Sequence, residues 1–157
     1  MLNMKDLLSK LKITVGENNY LKNPDSSELG KKIIESSIQL IHEIGFESFT
    51  FRKLGKKINC PEASIYRYFE NKHMLLIYLT SWYWGWMEYR LMLQVANVTS
   101  ATKRLEKALS LITSIKMNNE IIDAIDSGKL HQIVVSESTK SFLIKEVDEI
   151  NKTGVFL

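Results

Sequence analysis

Hydrophobic residues recur at three- and four-residue spacing along most of this chain, which is the pattern of amphipathic helices. Ile33, Leu40, Ile41 and Ile44 define one such apolar face. No segment alternates apolar and polar residues as a half-buried strand does. Only two prolines and seven glycines occur among 157 residues. The pattern therefore predicts an all-α fold.

Capping residues divide this pattern into elements. Ser26 or Ser27, Thr50 and Asn71 each precede an apolar-periodic segment and are suited to cap a helix N-terminus. Gly45 stands where a helix C-terminus requires a residue that tolerates a left-handed backbone. The predicted helices extend over residues 27–44, 51–58, 61–68, 72–95, 103–117, 120–126 and 129–152. Asn59-Cys60-Pro61 forms the turn between the second and third.

Charge adds a local signal that the whole-chain balance of +3 hides. Residues 51–73 hold two acidic residues, Glu62 and Glu70, against six basic ones: Arg52, Lys53, Lys56, Lys57, Arg67 and Lys72. A basic patch on two short helices is typical of a phosphate-binding surface, whereas the alternative is an ordinary solvated face.

The sequence lacks the residue patterns of several other functional classes. One cysteine, Cys60, allows neither an internal disulfide nor a cysteine zinc cluster, and the three histidines are far apart in sequence. No Ser/His/Asp set or phosphate-cradling glycine loop is present, so we expect no enzyme, no catalytic residue, no metal and no cofactor. Neither a signal peptide nor an apolar run of membrane-spanning length occurs, which favours a cytoplasmic protein.

The segment IIESSIQLIHEIGFESFTFRKLGKKINCPEASIYRYFENKHMLL closely resembles the DNA-binding head of the tetracycline-repressor (TetR) family of transcriptional regulators. The features in common are Gly45-Phe46, Phe49-Thr50, the recognition segment over 63–69 and Asn71-Lys72. The resemblance implies a three-helix helix-turn-helix head followed by a helical effector-binding and dimerisation body. We accordingly expect an N-terminal extension over 1–25, a DNA-binding domain over 26–70 and a regulatory domain over 71–157.

The resemblance also implies the roles of individual residues in DNA binding. The implied DNA-binding residues are Thr50, Arg52, Glu62, Ala63, Ser64, Tyr66, Tyr68 and Lys72. Thr50 caps the second helix, Arg52 lies beside the DNA, and Lys72 contacts a phosphate at the start of the fourth helix, where a helix N-terminus favours anions. For Tyr66 the alternative is core packing, and for Lys72 it is an ordinary surface position.

The aromatic block over 81–90, SWYWGWMEYR, is a candidate for ligand binding. Aromatic walls with a few polar groups suit pockets for flat or apolar ligands, although an aromatic stripe is more often core. The candidate ligand-binding residues are Trp82, Trp86, Tyr89, His131 and Glu137. The implied partners are a double-stranded DNA operator, an unidentified small-molecule effector and a second copy of the chain, with no membrane.

Three departures from the family pattern leave a second interpretation open. Gly55 replaces the usual alanine and weakens the helix by about 1 kcal/mol. Asn59-Cys60 replaces the usual glycine-valine turn, and the chain is shorter than is usual, either as a truncated or as a naturally short member. The function expected is sequence-specific transcriptional regulation, as a ligand-responsive dimeric repressor. The alternative is a monomeric helical interaction or small-molecule-binding protein that binds DNA weakly or not at all.

Overall fold

The computed structural model describes residue 13, residues 15–113, residues 121–122 and residues 125–142. The helices are α1 (Glu28–Ile44), α2 (Phe51–Ile58), α3 (Glu62–Tyr66), α4 (Lys72–Val95), α5 (Ala101–Thr113) and α6 (Ser127–Phe142). Two 3-10 turns, Glu17–Asn19 and Pro24–Ser26, precede α1. Strands β1 (Ile121–Ile122) and β2 (Ile125–Asp126) pair antiparallel, with Ile121 opposite Asp126.

Local capping explains where the first four helices begin and end. The Ser27 hydroxyl accepts from the Gly30 amide, the Thr50 hydroxyl accepts from the Lys53 amide, and the Asn71 carboxamide oxygen accepts from two amides of α4. Gly45 ends α1 with φ at 77°, a conformation that a side chain would strain. The all-α class is confirmed.

One predicted element is wrong. The segment predicted as a helix over 120–126 contains instead the short ladder of β1 and β2. A seven-residue helix has little stability of its own, and β-branched isoleucines favour extended backbone. One helix end also differs from the prediction, and two predicted helices are described only in part. α3 ends at Tyr66 rather than Tyr68, and residues 114–117 and 143–152 of the predicted fifth and last helices lie outside the described residues.

The core joins α1, α2, α3 and the first half of α4. Its most buried side chains, all less than 2% exposed, include Ile33, Phe46, Phe49, Leu54, Ile65, Phe69, Leu75 and Leu79. Phe46 and Phe49 come from the α1–α2 connection, so this connection is part of the core. α2 and α3 are thereby held at a set angle on α1 and α4.

α6 packs against α4 and against α1. The carboxamide of Gln132 accepts a hydrogen bond of 2.7 Å from His42 on α1. The neighbouring His131 is hydrogen-bonded to the Tyr83 hydroxyl on α4, also at 2.7 Å. Two consecutive residues of α6 therefore connect α1 to the middle of α4. α5 packs on α4 through the buried Leu111, and it exposes Leu105, Leu109 and Ile112 on its outer side.

Residues 15–27, the N-terminal segment, lie across this core. Val15 and Pro24 are buried. The Leu21 amide donates to the Tyr68 carbonyl at 2.8 Å. The ring of Tyr20 packs edge-on against the ring of Tyr78 on α4, with the two ring centres 6.1 Å apart. The described part of the predicted 1–25 extension thus packs on the region of α3 and α4.

Candidate nucleic-acid interface

The turn between α2 and α3 passes close to the backbone of α2. Asn59 ends α2 in the left-handed conformation, which asparagine tolerates, and the Cys60 amide then donates to the Gly55 carbonyl at 2.8 Å. A Cβ placed on Gly55 would lie 2.6 Å from the Cys60 carbonyl oxygen. Glycine at position 55 therefore allows the turn to cross directly over α2, and this contact sets the position of α3.

α3 has one buried side and one exposed side. Ile65 is fully buried, whereas Ala63 is exposed and Glu62 and Ser64 are partly exposed. The Tyr66 side chain is 46% exposed, and the centre of its ring lies 5.0 Å from the centre of the Phe51 ring in an edge-to-face arrangement. These four outer residues, all predicted as DNA-binding, lie together on one accessible surface.

Tyr68 does not share that surface in this structure, and its role in DNA binding stays a prediction. Its side chain is 3% exposed, and its hydroxyl is hydrogen-bonded to the Ser27 hydroxyl at 2.7 Å. α3 has ended by Tyr66, so the chain turns inward where a longer helix would have continued along the surface. Tyr68 instead joins the N-terminal segment to the core.

Lys72 is half-buried, and its side chain binds backbone carbonyls of the same chain. Its ammonium group donates to the carbonyls of Phe46, Glu47 and Phe49 at 3.1, 3.2 and 3.3 Å and lies 4.8 Å from the centre of the Phe46 ring. All three donor protons of a lysine are thus engaged. Lys72 ties the α1–α2 connection to the start of α4.

The other cations of residues 51–73 divide into paired and unpaired groups. Lys53 donates to the Ser48 carbonyl at 2.7 Å, and Lys57 lies 3.0 Å from both carboxylate oxygens of Glu43. The side chains of Lys56 and Arg67 are exposed and have no partner within the part of the chain that the structure describes. Both belong to the basic patch predicted from the sequence, but neither is among the DNA-binding residues that the resemblance implies. A count of charges does not show which cations are paired.

Arg52 and Glu62 connect α2 to the start of α3. Arg52 Nε lies 3.8 Å from Glu62 Oε2, and the two side chains are 78% and 37% exposed. With Lys56 and Asn59 they line an open groove of about 410 Å³ beside the α2–α3 turn. The exposed side of α3 is therefore bordered by cations and by one carboxylate.

The predicted ligand-binding residues occupy two kinds of position. Trp82 and Trp86 are buried, 5% and 1% exposed, and their stacked rings have centres 6.4 Å apart. His131 reaches this pair through Tyr83, whose ring centre is 6.0 Å from that of Trp86. Burial raises the pKa of the Tyr83 phenol. We call Trp82, Tyr83, Trp86 and His131 the aromatic cluster.

Tyr89 on α4 and Glu137 on α6, the two remaining ligand candidates, are half-buried. Within residues 13, 15–113, 121–122 and 125–142 no group of histidine, cysteine and acidic side chains is arranged to hold a metal ion. No helix among those residues combines the length and the apolar character needed to cross a bilayer.

Comparison with known proteins agrees with this geometry. The family described as "Bacterial regulatory proteins, tetR family" matches residues 33–79, which extend from α1 through α2 and α3 into α4. No curated protein and no solved structure shows significant similarity to the chain. The match coincides with the elements that place the exposed side of α3 beside Lys56 and Arg67. Residues 33–79 of this chain thus form a DNA-binding segment of the kind found in bacterial regulatory proteins of the tetR family.

Proposed function

We propose that the protein is a ligand-responsive repressor that binds its DNA operator as a homodimer. The observation that carries this proposal is the exposed side of α3, bordered by the unpaired cations Lys56 and Arg67. Unpaired cations attract phosphates without first having to break an internal ion pair, and a helix with an accessible side can enter the major groove. Residues 26–70 form the DNA-binding domain in this proposal, and residues 71–157 form the regulatory domain.

Contacts to DNA are assigned by position. Ala63, Ser64 and Tyr66 face base edges or the adjoining backbone. Thr50 and Arg52, both exposed at the start of α2, lie beside the phosphates together with Lys56 and Arg67. Lys72 supports the interface from beneath, because its ammonium group is already bound to three carbonyls.

A dimer would present two copies of α3 to successive major grooves. Helix-turn-helix dimers read half-sites about 34–36 Å apart, or a multiple of that distance. The operator would then be pseudo-palindromic. A ligand that favours another separation of the two α3 helices lowers DNA affinity by its differential affinity for the two states.

The aromatic cluster is the proposed ligand site. Trp86 Nε1 is buried and has no hydrogen-bond partner among the described residues, and such a donor is destabilising unless another group accepts from it. A planar ligand with an acceptor atom would satisfy this group. His131 of the cluster is next to Gln132, which accepts from His42 of α1, so a shift of α6 reaches the DNA-binding domain.

The proposal is tested by DNA binding as a function of salt. Fluorescence anisotropy of a labelled duplex, selected by the wild-type protein from a random library, gives the affinity between 50 and 300 mM salt. We expect Lys56→Ala combined with Arg67→Ala to reduce the slope of log affinity against log salt by about two units. Lys103→Ala, an exposed lysine of α5, is the matched control and should leave the slope unchanged. Equal slopes for all three proteins would contradict the assigned surface, and failure to select any duplex would favour the interaction or small-molecule-binding alternative.

A further inference from the structure

Glu62 is an acidic residue at the centre of a surface proposed to meet DNA. It is the first residue of α3, and the basic residues Arg52 and Lys56 line the same groove. Its carboxylate is partly exposed, with Oε2 3.8 Å from Arg52 Nε, and both residues line the groove. The geometry therefore brings a carboxylate to the DNA together with the outer side of α3.

A carboxylate near DNA is repelled by phosphates, so its presence weakens binding unless it meets a hydrogen-bond donor. An ionised carboxylate only accepts hydrogen bonds. In the major groove the base edges that donate are the N4 amino group of cytosine and the N6 amino group of adenine. Glutamate at this position consequently favours a base pair that presents one of these amino groups.

The two amino groups differ in their neighbours. Adenine presents the acceptor N7 beside its N6 amino group, and N7 repels the second carboxylate oxygen. Cytosine presents no acceptor at its own major-groove edge. A carboxylate at this position therefore fits cytosine better than adenine.

We propose that Glu62 is a specificity-determining residue that accepts a hydrogen bond from the N4 amino group of a cytosine in each operator half-site, and that Arg52 is the positioning residue that orients its carboxylate. The inference rests on the proposed function, since it concerns how the same surface recognises its operator. It adds the identity of one base pair and the residue that reads it.

The test is selection from a random duplex library followed by sequencing, performed with the wild type, Glu62→Gln, Glu62→Ala, Arg52→Ala and Arg52→Lys. Glu70→Gln is the matched control, because it makes the same chemical change at an exposed residue of this domain outside α3. Circular dichroism establishes that each variant is folded.

The wild type should prefer cytosine by at least about five-fold at one position of each half-site. Glu62→Gln should change the preference at that position to adenine, because glutamine binds adenine N6 and N7 in a bidentate manner. Glu62→Ala should abolish the preference there and leave the other positions as they are. Arg52→Ala should reduce it, Arg52→Lys should restore part of it, and Glu70→Gln should reproduce the wild-type motif.

Three outcomes overturn different claims. A selected motif that stays the same at every position in Glu62→Gln and Glu62→Ala overturns the role of Glu62 and leaves the proposed function standing. If the folded wild-type protein enriches no motif at all, the proposed function fails and the inference fails with it. An Arg52→Ala motif identical to the wild-type motif removes the positioning role of Arg52 alone.

Discussion

At the scale of single residues, the proposed DNA-facing surface depends on which basic side chains already have partners within the fold. Lys53, Lys57 and Lys72 are basic residues in the sequence, yet each is bound to a carbonyl or carboxylate of the same chain. Lys56 and Arg67 have the same formal charge and no such partner among the described residues. Residues of one type in one short segment therefore have different roles.

Lys72→Ala tests this division. We expect it to lower the free energy of unfolding by about 1–3 kcal/mol, because three carbonyls lose a charged hydrogen-bond donor. Lys56→Ala should leave stability within about 0.5 kcal/mol of the wild type and reduce the salt slope of DNA binding by about one unit. Urea unfolding and anisotropy titrations measure the two effects. If Lys72→Ala has wild-type stability and its salt slope falls by a full unit, Lys72 instead contacts a DNA phosphate directly.

Gly55→Ala tests the close approach of the α2–α3 turn. Helix propensity alone predicts stabilisation by about 1 kcal/mol. The new Cβ would instead press against the Cys60 carbonyl oxygen, so we expect a net destabilisation of about 1–3 kcal/mol. Urea unfolding of Gly55→Ala beside Lys56→Ala, its exposed neighbour in α2, gives the comparison. A Gly55→Ala protein more stable than the wild type would show that the turn accommodates the new Cβ without loss of stability.

At the scale of elements, the N-terminal segment is attached to α4 mainly through tyrosine residues. Tyr78 is 2% exposed, and the Asp25 carboxylate of the segment accepts a hydrogen bond from its phenol. Burial is the largest cause that raises the pKa of Tyr78 above its usual value, followed by the charges of Asp25 and Tyr20. The folded protein thus holds this phenol proton more tightly than the unfolded chain does.

This difference predicts a dependence of stability on alkaline pH. A group whose pKa is higher in the folded state contributes stability that is complete below its unfolded pKa, here 10.0, and is lost as pH rises above that value. Relative to Tyr78→Phe, the wild type should lose about 1.4 kcal/mol per pH unit above about pH 10. Urea unfolding between pH 8 and 11 measures this loss, and Tyr66→Phe controls for removal of an exposed hydroxyl. A constant difference between wild type and Tyr78→Phe over this range would contradict the burial of the phenol.

At the scale of the whole molecule, α6 connects the proposed regulatory domain with the DNA-binding domain. Its consecutive residues His131 and Gln132 bind Tyr83 of α4 and His42 of α1. A change at the aromatic cluster has a short physical route to α1 through this helix. This route can regulate DNA binding only if two DNA-binding domains are held at a distance that a ligand can alter.

Light scattering over a concentration series tests that requirement. We expect a mass of about twice the 18.2 kDa of one chain, because two half-sites require two copies of α3. The same series in the presence of the selected duplex checks that the dimer is the species that binds DNA. A mass of one chain at every concentration would remove the two-half-site operator and support the monomeric alternative.

The local features of this protein follow from its sequence alone. Ser27, Thr50 and Asn71 cap their helices because each hydroxyl or carboxamide accepts from an amide two or three residues away. Apolar periodicity placed α1, α2 and α4 for the same reason, since a helical face repeats within a few residues. The segment around α2 and α3 also carried enough specific residues to indicate the family.

Which residues remain available for function depends on tertiary contacts. Tyr68 is buried and hydrogen-bonded to Ser27, 41 positions earlier, and the Lys72 ammonium group binds carbonyls 23 to 26 positions earlier. The ladder of β1 and β2 replaced a predicted helix, because short-range preference is weak in so few residues. Burial and pairing depend on partners that are distant in sequence, and a pattern of residue types does not record them.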